Sequence, residues 1–436
     1  MDTIYVRGGK PLCGSIRVGG SKNASLAIMA ACLLVDGKTT LRNVSDIRDI
    51  HTMAEMLQEL GAEVRFGTDG TVEIDASGFN RTEAPEEMVR KMRASFYVLG
   101  PMLARLGSAR VAQPGGCQIG ARPVDFHVRG MQALGAHIRA ESGIVEGYAE
   151  GLRGARIYLD FPSAGATTHI MSAASLADGI TIIENAAMEP EVADLGNFLA
   201  ALGVRVEGVG TSTVIVEGRK RLETDREYSV IPDRMEAGTF ACAAAITKGD
   251  VILENATAAH LQPVLVKLKD MGVTVTTFSE DPELPGLIRI AATERCQAVD
   301  IMALPHPGFP TDMQQPMVAL LSVSEGAAMV TDRVFESRFR YVDQLNRMGA
   351  DIRVEGRTAY VHGVDHLRGT TVEATDLRAG AALIVAALAA EGETVVTGVQ
   401  HVDRGYSELV EKLQAAGASI SRGKLDSEAR ELSLQI

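Results

Sequence analysis

The chain has 436 residues, more than one hydrophobic core usually serves, so two domains are expected. With 46% hydrophobic residues, no Trp and 4% aromatics, its core must be built from Ala, Val, Leu, Ile and Met, whose modest bulk lets helices pack closely. The formal net charge of -13 excludes the broad basic face of a nucleic-acid-binding surface, so an anionic ligand has to meet a local cluster of cations.

Residues 1–10 carry no apolar signal-like core, and the longest apolar runs, Leu26 to Val35 and Ala381 to Ala390, are too short to span a bilayer. Both read as helices buried on every side, and a cytoplasmic protein without membrane insertion is expected. The cysteines, Cys13, Cys32, Cys117, Cys242 and Cys296, are odd in number and lack CxxC spacing. That argues against a disulfide framework and a zinc site, and Cys13, Cys32, Cys242 and Cys296 read as buried structural residues.

Further along, an amphipathic segment ends six times in Gly followed by Ala or Val, at Gly61, Gly135, Gly203, Gly272, Gly349 and Gly417, at intervals of 68 to 77 residues. Each is preceded by a second recurrent glycine, at Gly37, Gly107, Gly179, Gly249, Gly326 and Gly392, which closes an Ala-rich helical stretch. One unit is written six times. The third copy predicts strand (Arg156 to Phe161), helix (Gly165 to Ala177), strand (Thr181 to Glu184), helix (Val192 to Leu202) and a strand pair at Val204 and Thr213, a βαβαββ unit. Such a unit leaves apolar faces that only neighbouring copies can cover, which favours an α/β fold of two three-unit domains, each closing around its own helices. The first helices start at Ser21-Lys22-Asn23, Met92-Arg93-Ala94, Ser163-Ala164-Gly165, Asp233-Arg234-Met235, Thr311-Asp312-Met313 and Asp376-Leu377-Arg378. Four of these starts carry Lys or Arg, where free N–H groups and the positive helix end already favour anions.

The second copy is the longest between its paired glycines, and the excess contains Pro114-Gly115-Gly116-Cys117-Gln118-Ile119-Gly120. A Gly-rich loop offers no core to bury Cys117, and Arg122 nearby can tune its thiol, so it reads as a nucleophile or a general acid. Asp312 is either a helix-cap neighbour of Thr311 or a general base. The histidines show no HExxH or other metal-ligand spacing, and no GxGxxG or P-loop pattern is present, so neither a metal nor a nicotinamide cofactor is expected.

Six segments, Ser21 to Ala24, Met92 to Ser95, Pro114 to Asp125, Gly165 to Thr167, Phe309 to Gln314 and Asp403 to Tyr406, resemble the signatures of the UDP-N-acetylglucosamine 1-carboxyvinyltransferase family, over a match reaching about Ala418. The resemblance implies a two-domain inside-out α/β barrel of six βαβαββ repeats, three per domain, with the active site in the interdomain cleft. Residues 22–230 would form the domain carrying the Cys117 loop, and 1–21 with 231–436 the other. It also implies transfer of the enolpyruvyl group of phosphoenolpyruvate to the 3′-hydroxyl of UDP-N-acetylglucosamine, without cofactor or metal. Cys117 would be the proton donor and Asp312 the base. Lys22, Arg122 and Arg404 would hold the phosphate and carboxylate of phosphoenolpyruvate. Asn23, Arg93, Arg122, Pro123, Val124, Asp125, Phe126, Ser163, Ala164, Gly165 and Val334 would hold the sugar nucleotide, with Arg338 and Arg378 as further cations.

Phe161, Ala164 and Tyr341 depart from the residues common in that family, at places that touch affinity rather than chemistry. Two rival readings stand beside this one. The related 3-phosphoshikimate 1-carboxyvinyltransferases share the repeat fold and the donor but lack the cysteine loop and the uridine segment. A non-catalytic sugar-nucleotide-binding paralogue would have no need to retain both an acid and a base.

Overall fold

The computed structural model describes residues 2–114 and 124–424. Cys117, Arg122 and Pro123 therefore lie outside the described residues. The chain divides into two compact units, with boundaries between Gly19 and Gly20 and between Ile231 and Pro232. One unit takes the chain up to Gly19 and again from Pro232, and the other takes the described residues from Gly20 to Ile231.

Six sheets are present among the described residues. In the sheet of the third copy, Arg156–Tyr158 runs parallel to Ile180–Glu184, which pairs antiparallel with Thr213–Glu217, whose other edge carries Arg205–Glu207. The same order recurs from Cys13–Arg17 through Asp250–Ala256 and Gly286–Ala291 to Thr274–Phe278, and from Ile301–Ala303 through Ala327–Asp332 and Thr358–His362 to Asp351–Glu355. Two further sheets, like the one in which Cys13–Arg17 lies beside Asp250–Ala256, obtain a strand from far along the chain. Arg226–Ser229 lies parallel to Lys38–Arg42, and Asp2–Arg7 is inserted between Glu393–Thr397 and Ser419–Lys424. The sheet of the second copy has three strands, Ser108–Ala112, Ile144–Tyr148 and His137–Glu141, with an isolated parallel bridge from Glu83 to Arg110.

Alternation decides which face of each strand is buried. In Ile180–Glu184, Thr181 and Ile183 point inward, while Ile180 is exposed. The same alternation overturns one expectation. Cys13 opens a strand in which only Ile16 is buried, so its side chain is exposed rather than part of the core. Cys32, Cys242 and Cys296 are buried.

Inside each unit the Ala-rich helices pack on one another. Arg234–Ile246, Gln314–Leu321 and Leu377–Ala389 are in mutual contact, and every residue of the first is buried. In the other unit, Lys22–Ala31 and Leu99–Leu106 both pack on Ala164–Ala174. Small residues permit this closeness: a Cβ added at Gly238 would lie 2.6 Å from Met313 Sδ. The second helices, such as Arg48–Glu59, are amphipathic and end at the recurrent glycines. Gly61, Gly135, Gly203, Gly272, Gly349 and Gly417 all have φ between +89° and +104°, the left-handed conformation that turns the chain from helix into strand.

Helix starts follow the sequence at four of six places. Ser21, Ser163, Asp233 and Asp376 are N-caps whose side chains accept backbone N–H groups two or three residues on. The other two differ. Arg93 opens a 3-10 turn, Arg93–Val98, and the α-helix begins only at Leu99. Thr311–Met313 is likewise a 3-10 turn before Gln314–Leu321, with no side-chain cap. Pro101 and Pro316, placed within the first turns of their helices, lack the N–H that an earlier helical hydrogen bond would need.

Candidate active site

The expected site residues fall on both units. In the unit that starts again at Pro232, the starts of the inner helices bring charge together. Asp312, on the 3-10 turn, receives Nη2 of Arg338 at 2.5 Å on one carboxylate oxygen and Nε of Arg378 at 3.1 Å on the other. The arginine side chains are 3% and 4% exposed and the carboxylate 28%. Two buried guanidiniums thus hold one partly open carboxylate by charge-assisted hydrogen bonds. Burial opposes the charge on Arg378, but Tyr406, Asp312 and Asp233 outweigh it and hold its pKa above the ordinary value.

Asp312 is no cap. The cap-like carboxylate in this region is Asp332, fully buried, which accepts Thr311 Oγ1 at 2.6 Å and the N–H groups of Val334 and Phe335 at 2.8 and 2.9 Å. Asp332 thereby fastens the Val334 turn to the start of the Asp312 segment. Phe335 in turn stacks under Arg338, its ring centroid 5.3 Å from the guanidinium carbon. Tyr341, one of the departures from the family pattern, is fully buried and donates to Gln314 Oε1 at 3.2 Å. Arg404 ends the 3-10 helix Val399–Arg404 and is half-buried.

In the other unit, Lys22 is the first residue of its helix, and its Nζ lies 3.0 Å from Oδ2 of Asp49. Their side chains are 11% and 5% exposed, so this is a largely desolvated pair, which is strongly destabilised if one partner is lost. Asn23, the next residue, is exposed. Val124 precedes the helix Asp125–Ala133, in which Asp125 is exposed and pairs with Arg129 at 3.2 Å, while Arg129 also stacks 4.9 Å from the ring of Phe126.

Beside these lies a histidine pair outside the expected set. Nδ1 of His127 and Nδ1 of His169 are 3.0 Å apart. Burial, with Arg93 second, lowers the His127 pKa to about 4 against an opposing effect of Asp125, and burial followed by His127 holds His169 well below its ordinary value. Both rings are therefore neutral at pH 7, one donating to the other. His127 also touches the segment that Ser163 caps: a Cβ added at Gly165 would stand 3.3 Å from its ring and 3.6 Å from Tyr97 Oη. Asp125 to His127, Ser163 to Gly165 and Arg93 are thus gathered around one buried pair.

Sequence reasoning missed Asp49, Asp332, His127, His169 and Tyr406 as partners in these clusters. His127 stands one residue beyond the quoted Arg122 to Phe126 segment, and Tyr406 ends the quoted Asp403 to Tyr406 segment. Asp49 had no local signal. Among the described residues, no group of three or more His, Cys, Asp or Glu is placed to hold a metal ion, and no helix is long and apolar enough to cross a membrane.

The family model of EPSP synthase (3-phosphoshikimate 1-carboxyvinyltransferase) matches residues 6–413. A UDP-N-acetylglucosamine 1-carboxyvinyltransferase from Nostoc sp. is 49% identical over 425 residues, covering 97% of this chain and 94% of that protein. UDP-N-acetylglucosamine 1-carboxyvinyltransferase 1 of Caldanaerobacter subterraneus is 49% identical over 412 residues, 94% of this chain and 97% of that one. Among solved structures, the enolpyruvyl transferase NikO from Streptomyces tendae matches with a TM-score of 0.87 at 26% identity, over 98% of this chain and 99% of that chain. EPSP synthase from Acinetobacter baumannii shares the fold, with a TM-score of 0.76 at 20% identity over 97% and 100%. With nearly half its residues identical over almost its whole length, the chain belongs to the UDP-N-acetylglucosamine 1-carboxyvinyltransferase family, within the enolpyruvyl transferases that share this α/β fold.

Proposed function

We propose that this protein transfers the enolpyruvyl group of phosphoenolpyruvate to the 3′-hydroxyl of UDP-N-acetylglucosamine and releases phosphate. The observation that carries the reading is the 49% identity to enzymes of that name over 97% of the chain. The paired arginines on Asp312 give it chemical sense, because both substrates are polyanions and the acceptor is a hydroxyl that must lose a proton.

In the proposed reaction the thiol of Cys117 gives its proton to the methylene carbon of phosphoenolpyruvate, and C2 becomes electrophilic. The sugar hydroxyl attacks C2 while Asp312 takes its proton. The tetrahedral ketal then loses phosphate together with a proton from the new methyl group, which restores the carbon–carbon double bond in the product ether. Lys22, Arg122 and Arg404 hold the phosphate and carboxylate of the donor. Lys22 has three N–H bonds, so it can serve an anion while keeping Asp49. Asn23, Arg93, residues 122–126, Ser163 to Gly165 and Val334 hold the sugar nucleotide, and Arg338 and Arg378 supply further positive charge. These residues belong to both units, so the reaction needs both.

The finer reading of the architecture is part of the same proposal: an inside-out barrel of six βαβαββ units, three per domain, with residues 22–230 as one domain, residues 1–21 and 231–436 as the other, and the substrates in the interdomain cleft. So is the biological setting, a cytoplasmic enzyme at the first committed step of peptidoglycan synthesis.

Phosphate release from phosphoenolpyruvate tests the reading. Release should require UDP-N-acetylglucosamine, and shikimate 3-phosphate should not replace it. Cys117→Ala should abolish turnover, whereas Cys117→Asp should keep a part of it, because a carboxylic acid can also donate a proton. Full activity in the alanine variant, or release with shikimate 3-phosphate alone, overturns the assignment.

A further inference from the structure

Tyr406 is 3% exposed, and its Oη lies 3.0 Å from Nη1 of Arg378 and 2.8 Å from Oγ1 of Thr239. Valence fixes the direction of every proton along this line. A guanidinium only donates, so Tyr406 accepts from Arg378. Thr239 has one hydroxyl proton, and its other neighbour at 2.8 Å is the Met235 carbonyl, which only accepts. The Thr239 proton therefore goes to Met235, and Tyr406 donates to Thr239. The hydrogen bonds run one way, from Arg378 through Tyr406 and Thr239 to a helix carbonyl, with each dipole oriented to favour positive charge at the guanidinium. Burial raises the Tyr406 phenol, and Arg378 with its two hydrogen bonds only partly opposes this, so the hydroxyl stays protonated and able to donate.

The guanidinium carbon of Arg378 also lies 5.4 Å from the centroid of the Tyr406 ring, and Nε is bound to Asp312. Two of its three nitrogens are thus fixed, Nη1 by Tyr406 and Nε by Asp312. The carboxylate torsion of an aspartate is soft, so the direction in which Asp312 presents its oxygens is set by its partners rather than by its own rotamer. We propose that Tyr406, with Thr239 behind it, is a positioning residue that fixes the Arg378 guanidinium and through it the orientation of the Asp312 carboxylate. This rests on the enolpyruvyl-transfer reading, in which Asp312 takes the proton of the attacking hydroxyl. Tyr406 touches neither substrate in this role. It keeps the base aimed.

The test compares wild type with Tyr406→Phe, Thr239→Val, Thr239→Ser and the double variant Tyr406→Phe/Thr239→Val, by phosphate release at varied phosphoenolpyruvate and UDP-N-acetylglucosamine. Removing the phenol or the threonine hydroxyl should each lower kcat about tenfold or more, with KM for the sugar nucleotide changed less than about threefold, because the defect acts on the reacting atoms. Thr239→Ser should restore kcat to within about threefold of wild type, and the double variant should be no worse than the worse single variant, since both removals break one chain. A merely structural role would lower the melting temperature in step with activity and would show additive losses.

A Tyr406→Phe enzyme that folds and keeps wild-type kcat overturns the proposal. If that variant does not fold, the contrast between Thr239→Val and Thr239→Ser decides alone, and equal kcat in the two overturns it. Wild type inactive on these substrates would reject the functional reading instead. The positioning would then still be read from the exchange rate of the Arg378 Nε–H by nuclear magnetic resonance, expected to rise in Tyr406→Phe or Thr239→Val and, if unchanged, enough to discard the idea.

Discussion

Acid will loosen the unit that carries Ser163 to Gly165, and the His127–His169 pair is the reason. Two imidazoles with Nδ1 atoms 3.0 Å apart form a hydrogen bond only while one of those nitrogens is unprotonated. His127 has its pKa lowered from 6.5 to about 4, by burial first and Arg93 second, and His169 is lowered by burial and by His127. Because the folded rings bind protons less tightly than the unfolded chain, the unfolded state takes up more protons as pH falls from 6.5 towards 4. Stability is complete above pH 6.5 and is lost on the way down. For His127 alone, the drop from 6.5 to about 4 corresponds to ~3 kcal/mol, of which ~2 kcal/mol is gone by pH 5. His169 adds to the loss. Asp194 in the same unit works in the opposite sense. Burial raises its carboxyl from 3.8 to about 6, against the Tyr228 hydroxyl at 2.6 Å and the Ile231 N–H, so the folded state gains on protonation and recovers ~1 kcal/mol by pH 5.

The acid sensitivity of wild type is therefore partly masked, and an Asp194→Asn background exposes it. Urea unfolding of that variant at pH 7.5 and pH 5 should show a loss of ~2 kcal/mol or more, while wild type shows about half of it. Titration of the histidine ring signals should place His127 at about 4 and His169 well below 6.5. A ring titrating near 6.5, or an Asp194→Asn protein equally stable at the two pH values, would refute the burial argument.

The Lys22–Asp49 pair yields a prediction that separates structure from chemistry. Lys22→Ala leaves a carboxylate that is 5% exposed without this cation and should cost ~3–5 kcal/mol, whereas Lys22→Ala/Asp49→Asn should regain most of the stability and none of the turnover; recovery of turnover would remove Lys22 from the substrate site. The recurrent glycines differ in what surrounds them. Gly135→Ala has open space and only backbone strain to pay, ~1 kcal/mol, while Gly61→Ala also drives a Cβ to 2.5 Å from the Gly78 carbonyl and should cost clearly more by denaturant unfolding; equal costs would show that strain alone decides.

What the sequence alone determined was whatever is written within one or two helical turns. Ser21, Ser163, Asp233 and Asp376 are caps because a short polar side chain reaches N–H groups two or three residues ahead, and Gly61 to Gly417 recur because only glycine takes φ near +90° without strain. The buried character of Leu26 to Leu34 and Ala381 to Leu388 was equally legible, since an unbroken apolar run has no side to show to water. Tertiary structure decided the rest. Cys13 was misread because the composition of a strand does not say which of its faces the sheet covers. Asp49 was invisible as the partner of Lys22 across 27 residues, as was Thr239 behind Tyr406 across 167. The same holds for Asp2–Arg7 joining the last sheet and Arg226–Ser229 the first. Such pairings are selected by which apolar faces bury one another once the helices have packed, and a polar group finds its partner only where that burial leaves it, so the aim of Asp312 is a property of the assembled helix starts rather than of any segment of the chain.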